Sequence, residues 1–417
     1  MNKLFNLTFP ERLQITELDD IQTLLVPLRG HDVCKYVKKR SSVMQGALLA
    51  SHQDNDIPDV HAPKSGIIKE ITRTYIEIDC SKEAQATALE NAKKFMEEAL
   101  AKGEGQETLN SNTNANIEAK PVNLLELTPK DLIVALKNLG ISARPFTRPC
   151  TTFILNGLNP EPGMCYAEEL LATHAATIKA ALLLIQRLSN ADKYILALPE
   201  GNKTNIEGFT NQFVKAVYPI SLARPLITKI TGTESSKDVT MVHLNSVFNL
   251  GLVAQSGLPL NKTIISVQGK NFFTYIGTPV STLLEQVNAV PQDKDTIILG
   301  GFMRGYPLSS TQRGIDQNDC AIIHEKYGTV PHLTDNPCIN CGLCVNICPM
   351  RLRPNMLSRY AEFEQYNNCH KEYIELCIEC GLCGYVCPAC RPMQQYFKIA
   401  KHQLGIVSRQ HTIQQPV

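Results

Sequence analysis

A chain of 417 residues is long enough for two to four domains, each with its own core. Its 43% apolar and 19% charged residues are those of an ordinary globular protein, and 41 Lys+Arg against 40 Asp+Glu leave a formal charge of +1. That balance excludes the global basic field with which proteins gather nucleic acid or anionic lipid, and the short run KYVKKR (Lys35 to Arg40) reads as a solvated face.

The opening MNKLFNLTFPERL has no continuous apolar stretch and no small-residue cleavage site, so no secretory signal is expected. Residues 1–80 carry short apolar runs (LQITEL, TLLVPL, GIIKEI, TYIEID) between turn residues and predict a small β-rich unit. HAPKSGIIKEI, His61 to Ile71, is a turn leading into a strand; His61 and Lys64 read as structural and surface residues. Residues 81–122 begin with helical composition and end in a polar linker.

Residues 123–232 alternate helix and strand signals. DLIVALKNLG (Asp131 to Gly140) predicts a helix closed by Gly, and TTFILNG (Thr151 to Gly157) a buried strand. Ala167 to Leu188 predicts one long helix, and KYILALP (Lys193 to Pro199) another strand, which together argue a Rossmann-like parallel α/β sheet. Within that helix AATIKAALLLIQRL is the longest candidate for a membrane span. Lys179 and Arg187 interrupt it and it falls short of about 20 apolar residues, so no transmembrane segment is expected. Residues 233–312 are more strand-rich, an α+β unit, and residues 325–405 hold the cysteine-rich tail.

Fifteen cysteines without an export signal point away from disulfides, and eight fall into two repeated runs. Cys338, Cys341, Cys344 and Cys348 precede Pro349; Cys377, Cys380, Cys383 and Cys387 precede Pro388. Each run is C-x2-C-x2-C-x3-C-P, the bacterial ferredoxin spacing for 4Fe–4S clusters. Two-residue gaps let one loop wrap a cube, and Gly342 and Gly381 allow a tight turn beside it. The fourth cysteine starts a segment pointing away and ligates the other cluster in two-cluster ferredoxins. The expected ligand sets are therefore Cys338, Cys341, Cys344 and Cys387 for the first cluster, and Cys377, Cys380, Cys383 and Cys348 for the second. LRPNMLSRYAEFEQYNN and HKEYIEL between the runs predict amphipathic helices, and Ile339, Leu343, Val345, Ile378, Leu382 and Val386 are expected to keep water from the sulfurs. Structural zinc is the bland alternative, but zinc sites usually use two separated pairs rather than four cysteines in one short run. Cys390 and the scattered Cys34, Cys80, Cys150, Cys165, Cys320 and Cys369 are not expected to ligate.

Beyond the cluster runs, HAPKSG, KTIISVQG, YIGTPVSTLLE (Tyr275 to Glu285), LGGFMRGYPL (Leu299 to Leu308) and QNDCAII (Gln317 to Ile323) follow in an order that resembles the C subunit of Rnf-type ion-translocating electron-transport complexes. The resemblance spares only residues 81–119. It implies a barrel-sandwich domain over 1–80, a β-grasp-like domain over 233–312, and a helical two-cluster ferredoxin domain at the end. It further implies membrane-embedded oxidoreductase partners, a soluble electron donor or acceptor, and a place on the cytoplasmic face of the inner or plasma membrane.

Members of that family that oxidise NADH carry a Gly-Gly-x-Gly-Phe-Pro loop for flavin. The corresponding place here reads LGISARPFTRP, Leu139 to Pro149, where Arg144 stands in place of bare backbone. NGLNPEPG (Asn156 to Gly163) keeps Asn156, Gly157 and Glu161 of the flavin-binding segment, with Asn159 replacing an acidic residue. The expectation is an iron–sulfur relay subunit that has lost FMN; the alternatives are an FMN-containing subunit that oxidises NADH, and a zinc-stapled scaffold.

Overall fold

The computed structural model describes residues 13–101, 115–233, 238–329, 332–334 and 336–406. Part of the expected linker, residues 102–114, lies outside them. In the first unit, strands β1 (Ile15–Leu18), β2 (Thr23–Pro27), β3 (Asp32–Val33), β4 (Ser42–Val43), β5 (Leu48–Ser51), β6 (Val60–His61), β7 (Gly66–Ile71) and β8 (Tyr75–Asp79) follow one another. Two antiparallel sheets, ordered β2-β8-β7-β4 and β3-β5-β6, share a core of Leu24, Val26, Val43, Leu49, Ile68, Ile76 and Ile78. The two-residue alternation of Ile76 and Ile78 aims both into that core. Helix α1 (Lys82–Ala101) does not leave as a linker. Its Ala88 and Ala92, one turn apart, pack with Met44 against the same unit.

Strand β1 departs from the expected N-terminal unit. It pairs parallel with a strand of the fourth, mixed sheet, where Lys262 holds Glu17 and Asp19 and the Asn271 amide donates to the Leu13 carbonyl at 3.1 Å.

The second layer runs through α2 (Pro129–Asn138), α3 (Arg144–Thr147), β9 (Thr152–Asn156), α4 (Ala167–Thr173), α5 (Ala175–Ser189), β10 (Lys193–Pro199), β11 (Thr210–Val214), α6 (Ala223–Thr231), β12 (Val239–His243) and α7 (Leu244–Ser256). Thr128 caps α2 by accepting from the Asp131 N–H at 3.3 Å, with Pro129 in the first turn. The strands are all parallel in the order β11-β10-β9-β12, and central β9 is buried on both faces, as helices on each side require. Two expectations shift here. The segment β12–α7, placed after residue 233 in the following α+β unit, instead completes this sheet, because β12 pairs with β9. The single long helix over Ala167 to Leu188 is broken at His174 (φ −122°, ψ 31°), whose ring meets Phe248 edge-on at 5.2 Å. Neither Pro nor Gly marks that break; packing of α5 on α7 imposes it.

A fourth, mixed sheet is built from β13 (Lys262–Val267), β14 (Lys270–Tyr275), β15 (Thr296–Leu299), β16 (Tyr306–Pro307) and β17 (Ala321–Glu325), with α8 (Val280–Glu285) packed on it. Its order is β1-β14-β13-β17-β15-β16, so β17, beyond the expected boundary at 312, belongs to it. The tail holds α9 (Leu343–Asn346), α10 (Pro354–Glu362), α11 (Tyr366–Lys371), α12 (Leu382–Tyr385) and α13 (Met393–Gln403). Among the described residues no helix is long and apolar enough to cross a membrane.

Gly251 lets α7 press against α5, for a Cβ there would overlap the Thr177 carbonyl oxygen. Gly251→Ala therefore destabilises the chain by about 1–3 kcal/mol through overpacking, despite a gain of about 1 kcal/mol in helix propensity. A urea unfolding midpoint below that of the parent checks this; an increase would show that the helices yield.

Candidate functional site

The two cysteine runs fold as repeats. Gly342 and Gly381 take positive φ (77° and 80°) directly before the four-residue helices α9 and α12, which carry Cys344 and Cys383. Asn340 and Glu379, two residues earlier, also match in backbone, with φ of 54° and 52°. The Glu379 N–H donates to Cys377 Sγ at 3.4 Å, the kind of contact that orients a ligating sulfur.

Electrostatics shows which thiols are neighbours. Burial pushes the Cys344 thiol up, and Cys338, Cys387 and Cys341 push it further. Burial pushes Cys380 up to about 12, with Cys377 and Cys348 adding to it, and Cys383 feels the same two and Cys380. Each group of four thus takes its last member from the other run. The second group lines a cavity whose remaining wall is largely apolar, with Met350, Leu357, Ile378, Leu382 and Phe397.

Four sulfur donors crowded in a dry setting resist ionisation unless a cationic group binds them, and this donor set fits an iron–sulfur cube. Among the described residues no three His, Cys, Asp or Glu gather as a single metal ion requires; the thiolates of a four-iron cube sit on separate irons.

The groups differ in exposure. Cys341 is exposed and Cys344 buried, whereas Cys380 and Cys383 are both buried. Of the expected apolar shield, Val345 and Val386 are half-buried, and the other four residues divide between the runs. Ile378 and Leu382 pack with Tyr218, Leu222 and Met303, while Ile339 and Leu343 are 65% and 40% exposed. Gly381 explains the difference, because a Cβ there would lie 2.5 Å from the Met303 carbonyl oxygen, whereas Gly342 faces open space. Tyr218 Oη donates to the Cys380 carbonyl at 2.7 Å, and Gln394 Nε2 to that of Met303 at 2.7 Å.

That wall belongs to the crevice between β9 and β12, where the strand order of the parallel sheet reverses and open α/β sheets take their ligands. Asn156, at the end of β9, is fully buried; its amide donates to the Ser221 carbonyl at 2.7 Å and to His243 Nδ1 at 3.2 Å. Its Oδ1 accepts from the Leu158 N–H. Gly157 abuts the Ala197 carbonyl, 2.7 Å from where a Cβ would stand. Glu161 Oε2 accepts from the Met303 and Arg304 N–H groups at 3.0 and 3.2 Å, and a Cβ on Gly301 would overlap it. Glu161 thus braces the loop of residues 300–305, while Asn156 and Gly157 tie the end of β9 to Ser221, His243 and Ala197, so the polar atoms of Asn156 and Glu161 are engaged within the chain. In place of a Gly-rich loop the chain forms α3, with Phe146 buried and the Arg144 side chain turned outward, 3.8 Å from Asp56.

Sequence reasoning passed over His243, Tyr218, Gln394 and Lys401. Lys401 left a signal: with Met393, Phe397 and Ala400 it continues the buried stripe of α13.

Burial, then the nearby Arg304, drops His243 to about 4 from an ordinary 6.5. The unfolded chain therefore binds the extra proton first. The stability that neutral His243 contributes is complete above pH 6.5 and is lost as pH falls from 6.5 through 4, about 3 kcal/mol in all. Denaturant titrations at pH 7 and 4.5 should show a smaller loss in His243→Asn than in the parent; equal losses would contradict it.

Residues 337–390 match the family model of the 4Fe–4S dicluster domain. The C subunit of the ion-translocating oxidoreductase complex of Actinobacillus succinogenes is 26% identical over 60% of this chain and 39% of its own length. The C subunit of the proton-translocating ferredoxin:NAD(+) oxidoreductase complex of Clostridium ljungdahlii is 25% identical over 60% of this chain and 63% of its own. The matching C subunit of the Serratia proteamaculans ion-translocating complex is 24% identical over 92% and 57% respectively. The chain thus spans less than two thirds of the length of each of these relatives. A solved NAD+-reducing [NiFe]-hydrogenase in the H2-reduced state aligns with a TM-score of 0.42 at 12% identity, over 79% of this chain and 73% of that one. This chain carries a 4Fe–4S dicluster domain and resembles, over much of its length, the C subunit of Rnf-type ion-translocating oxidoreductase complexes.

Proposed function

We propose that the chain is an electron-relay subunit of an Rnf-type, ion-translocating oxidoreductase complex, holding two 4Fe–4S clusters. The observation that carries this is the exchange of last thiols between the two groups of four. Cys338, Cys341, Cys344 and Cys387 hold the first cluster; Cys377, Cys380, Cys383 and Cys348 hold the second. Each bound cluster takes up and releases one electron at a time. The chain's own residues set the order of exchange. Ile378 and Leu382 seal the second group against Tyr218 and Met303, whereas Cys341 opens the first to solvent between Ile339 and Leu343. The first group is thus the face that meets another redox protein.

The partners are membrane-embedded oxidoreductase subunits and a soluble donor or acceptor, in keeping with the ion-translocating complexes for which its relatives are named, and the resemblance implies a place on the cytoplasmic face of the inner or plasma membrane. The β-rich unit, as a barrel-sandwich, and the mixed sheet, as a β-grasp-like unit, act with the Rossmann-like sheet as scaffold. FMN is absent from this relay, with Asn156, Gly157 and Glu161 serving as braces.

A polar cleft of about 470 Å³, lined by Glu168, Gly201, Asn202, Lys203 and Thr204 past the carboxyl end of β10, favours a second reading in which NADH is oxidised through FMN.

Anaerobically purified chain is expected to contain about eight iron and eight sulfide and to release no flavin on denaturation. Zinc in place of iron would overturn the proposal, and stoichiometric FMN would establish the second reading. Cys348→Ser is expected to remove the second cluster's electron paramagnetic resonance signal and spare the first; the reverse would refute the exchange of thiols.

A further inference from the structure

The cysteine runs repeat each other's backbone but not each other's charges. The place that Asn340 holds in the first run is held in the second by Glu379, and the place of Glu362 on α10 is taken on α13 by Lys401. Lys401 is 5% exposed. Its Nζ donates to the Cys377 carbonyl at 2.7 Å and to Glu379 Oε1 at 2.6 Å, and both side chains of that ion pair are buried. On the first run the matching Glu362 pairs instead with Arg391, which donates to the Asn336 carbonyl at 2.8 Å beside the more exposed group.

A lysine is almost never buried unless paired, and a buried ion pair adds little stability over an apolar pair of the same volume. Burying a cation against a ligand's own backbone has an electrostatic consequence that an apolar pair would lack. Within the pair it is Lys401 Nζ that bonds the Cys377 carbonyl, at 2.7 Å, and Glu379 Oε1 is bonded to that same Nζ. Reduction of a cluster adds one negative charge, and in a dry wall a nearby cation acts on that charge far more strongly than it would in water. Local charge and hydrogen bonds to the ligands are among the levers by which a protein sets cluster potential.

We infer that Lys401 is a positioning residue that raises the reduction potential of the second cluster and so sets it apart from the first. The inference rests on the iron–sulfur reading above. A purely structural Lys401 would pin α13 to the Cys377 turn and leave the potential unmoved.

The test is a redox titration of the anaerobically purified full chain, followed by electron paramagnetic resonance, for the parent, Lys401→Met, Lys401→Arg and Glu379→Gln. At the poise where half the parent's second cluster is reduced, Lys401→Met is expected to lower its reduced-to-oxidised ratio about tenfold, 59 mV for one electron. The first cluster stays put, Lys401→Arg recovers most of the shift, and Glu379→Gln moves it the opposite way. Both clusters present and titrating as in the parent would overturn the inference, as would equal shifts of both. If Lys401→Met fails to assemble, Glu379→Gln decides: a raised potential supports the role and an unchanged one overturns it. A parent chain with no reducible cluster takes down the iron–sulfur reading itself, and this role with it.

Discussion

Two short cysteine runs, the last thiol of each lying beside the other run, are the constraint on which the tail is organised. Burial alone pushes Cys344, Cys377, Cys380 and Cys383 away from ionisation, and their neighbours in each group add to that resistance. Such an arrangement is unfavourable as bare thiolates and favourable once a cationic group neutralises them, so on the proposed iron–sulfur reading cluster binding would stabilise the fold of the tail. The core that surrounds the cysteines, with Leu357, Phe397 and Ala400 fully buried, encloses those sulfurs rather than a separate apolar centre.

Outward from that core the contacts form a continuous brace. Asn156 joins the end of β9 to His243 at the end of β12 and to Ser221; Glu161 holds the loop at Met303; Gln394 and Tyr218 reach from that wall to the second cysteine run. The crevice where an open α/β sheet takes a ligand is in this way packed against the second cysteine run. The same polar groups that the resemblance assigns to flavin have partners within the chain.

Much of this is legible in the sequence, for physical reasons that differ by element. The cysteine spacing is read directly because each run lies within one contiguous stretch of chain. Strands β9 and β10 stand out as apolar runs, and α2 by its Thr-Pro start and closing Gly. What escapes is set by contacts distant in sequence. Strand β1 joins the mixed sheet through pairing with residues some 250 positions away; β12 completes the parallel sheet; and α4 and α5 part at His174 with no helix breaker. The inequality of the two cysteine runs is invisible in the motif for the same reason. Ile339 and Ile378 hold matching places, and only the wall of Tyr218, Leu222 and Met303 buries one and not the other.

The most direct test of the central claim is an iron anomalous-scattering map of the anaerobically crystallised chain, read for which sulfurs bond which irons. The account predicts two cubes, one bonded by Cys338, Cys341, Cys344 and Cys387 and the other by Cys377, Cys380, Cys383 and Cys348. Four cysteines of a single run on one cube, or lone ions in place of cubes, would contradict it.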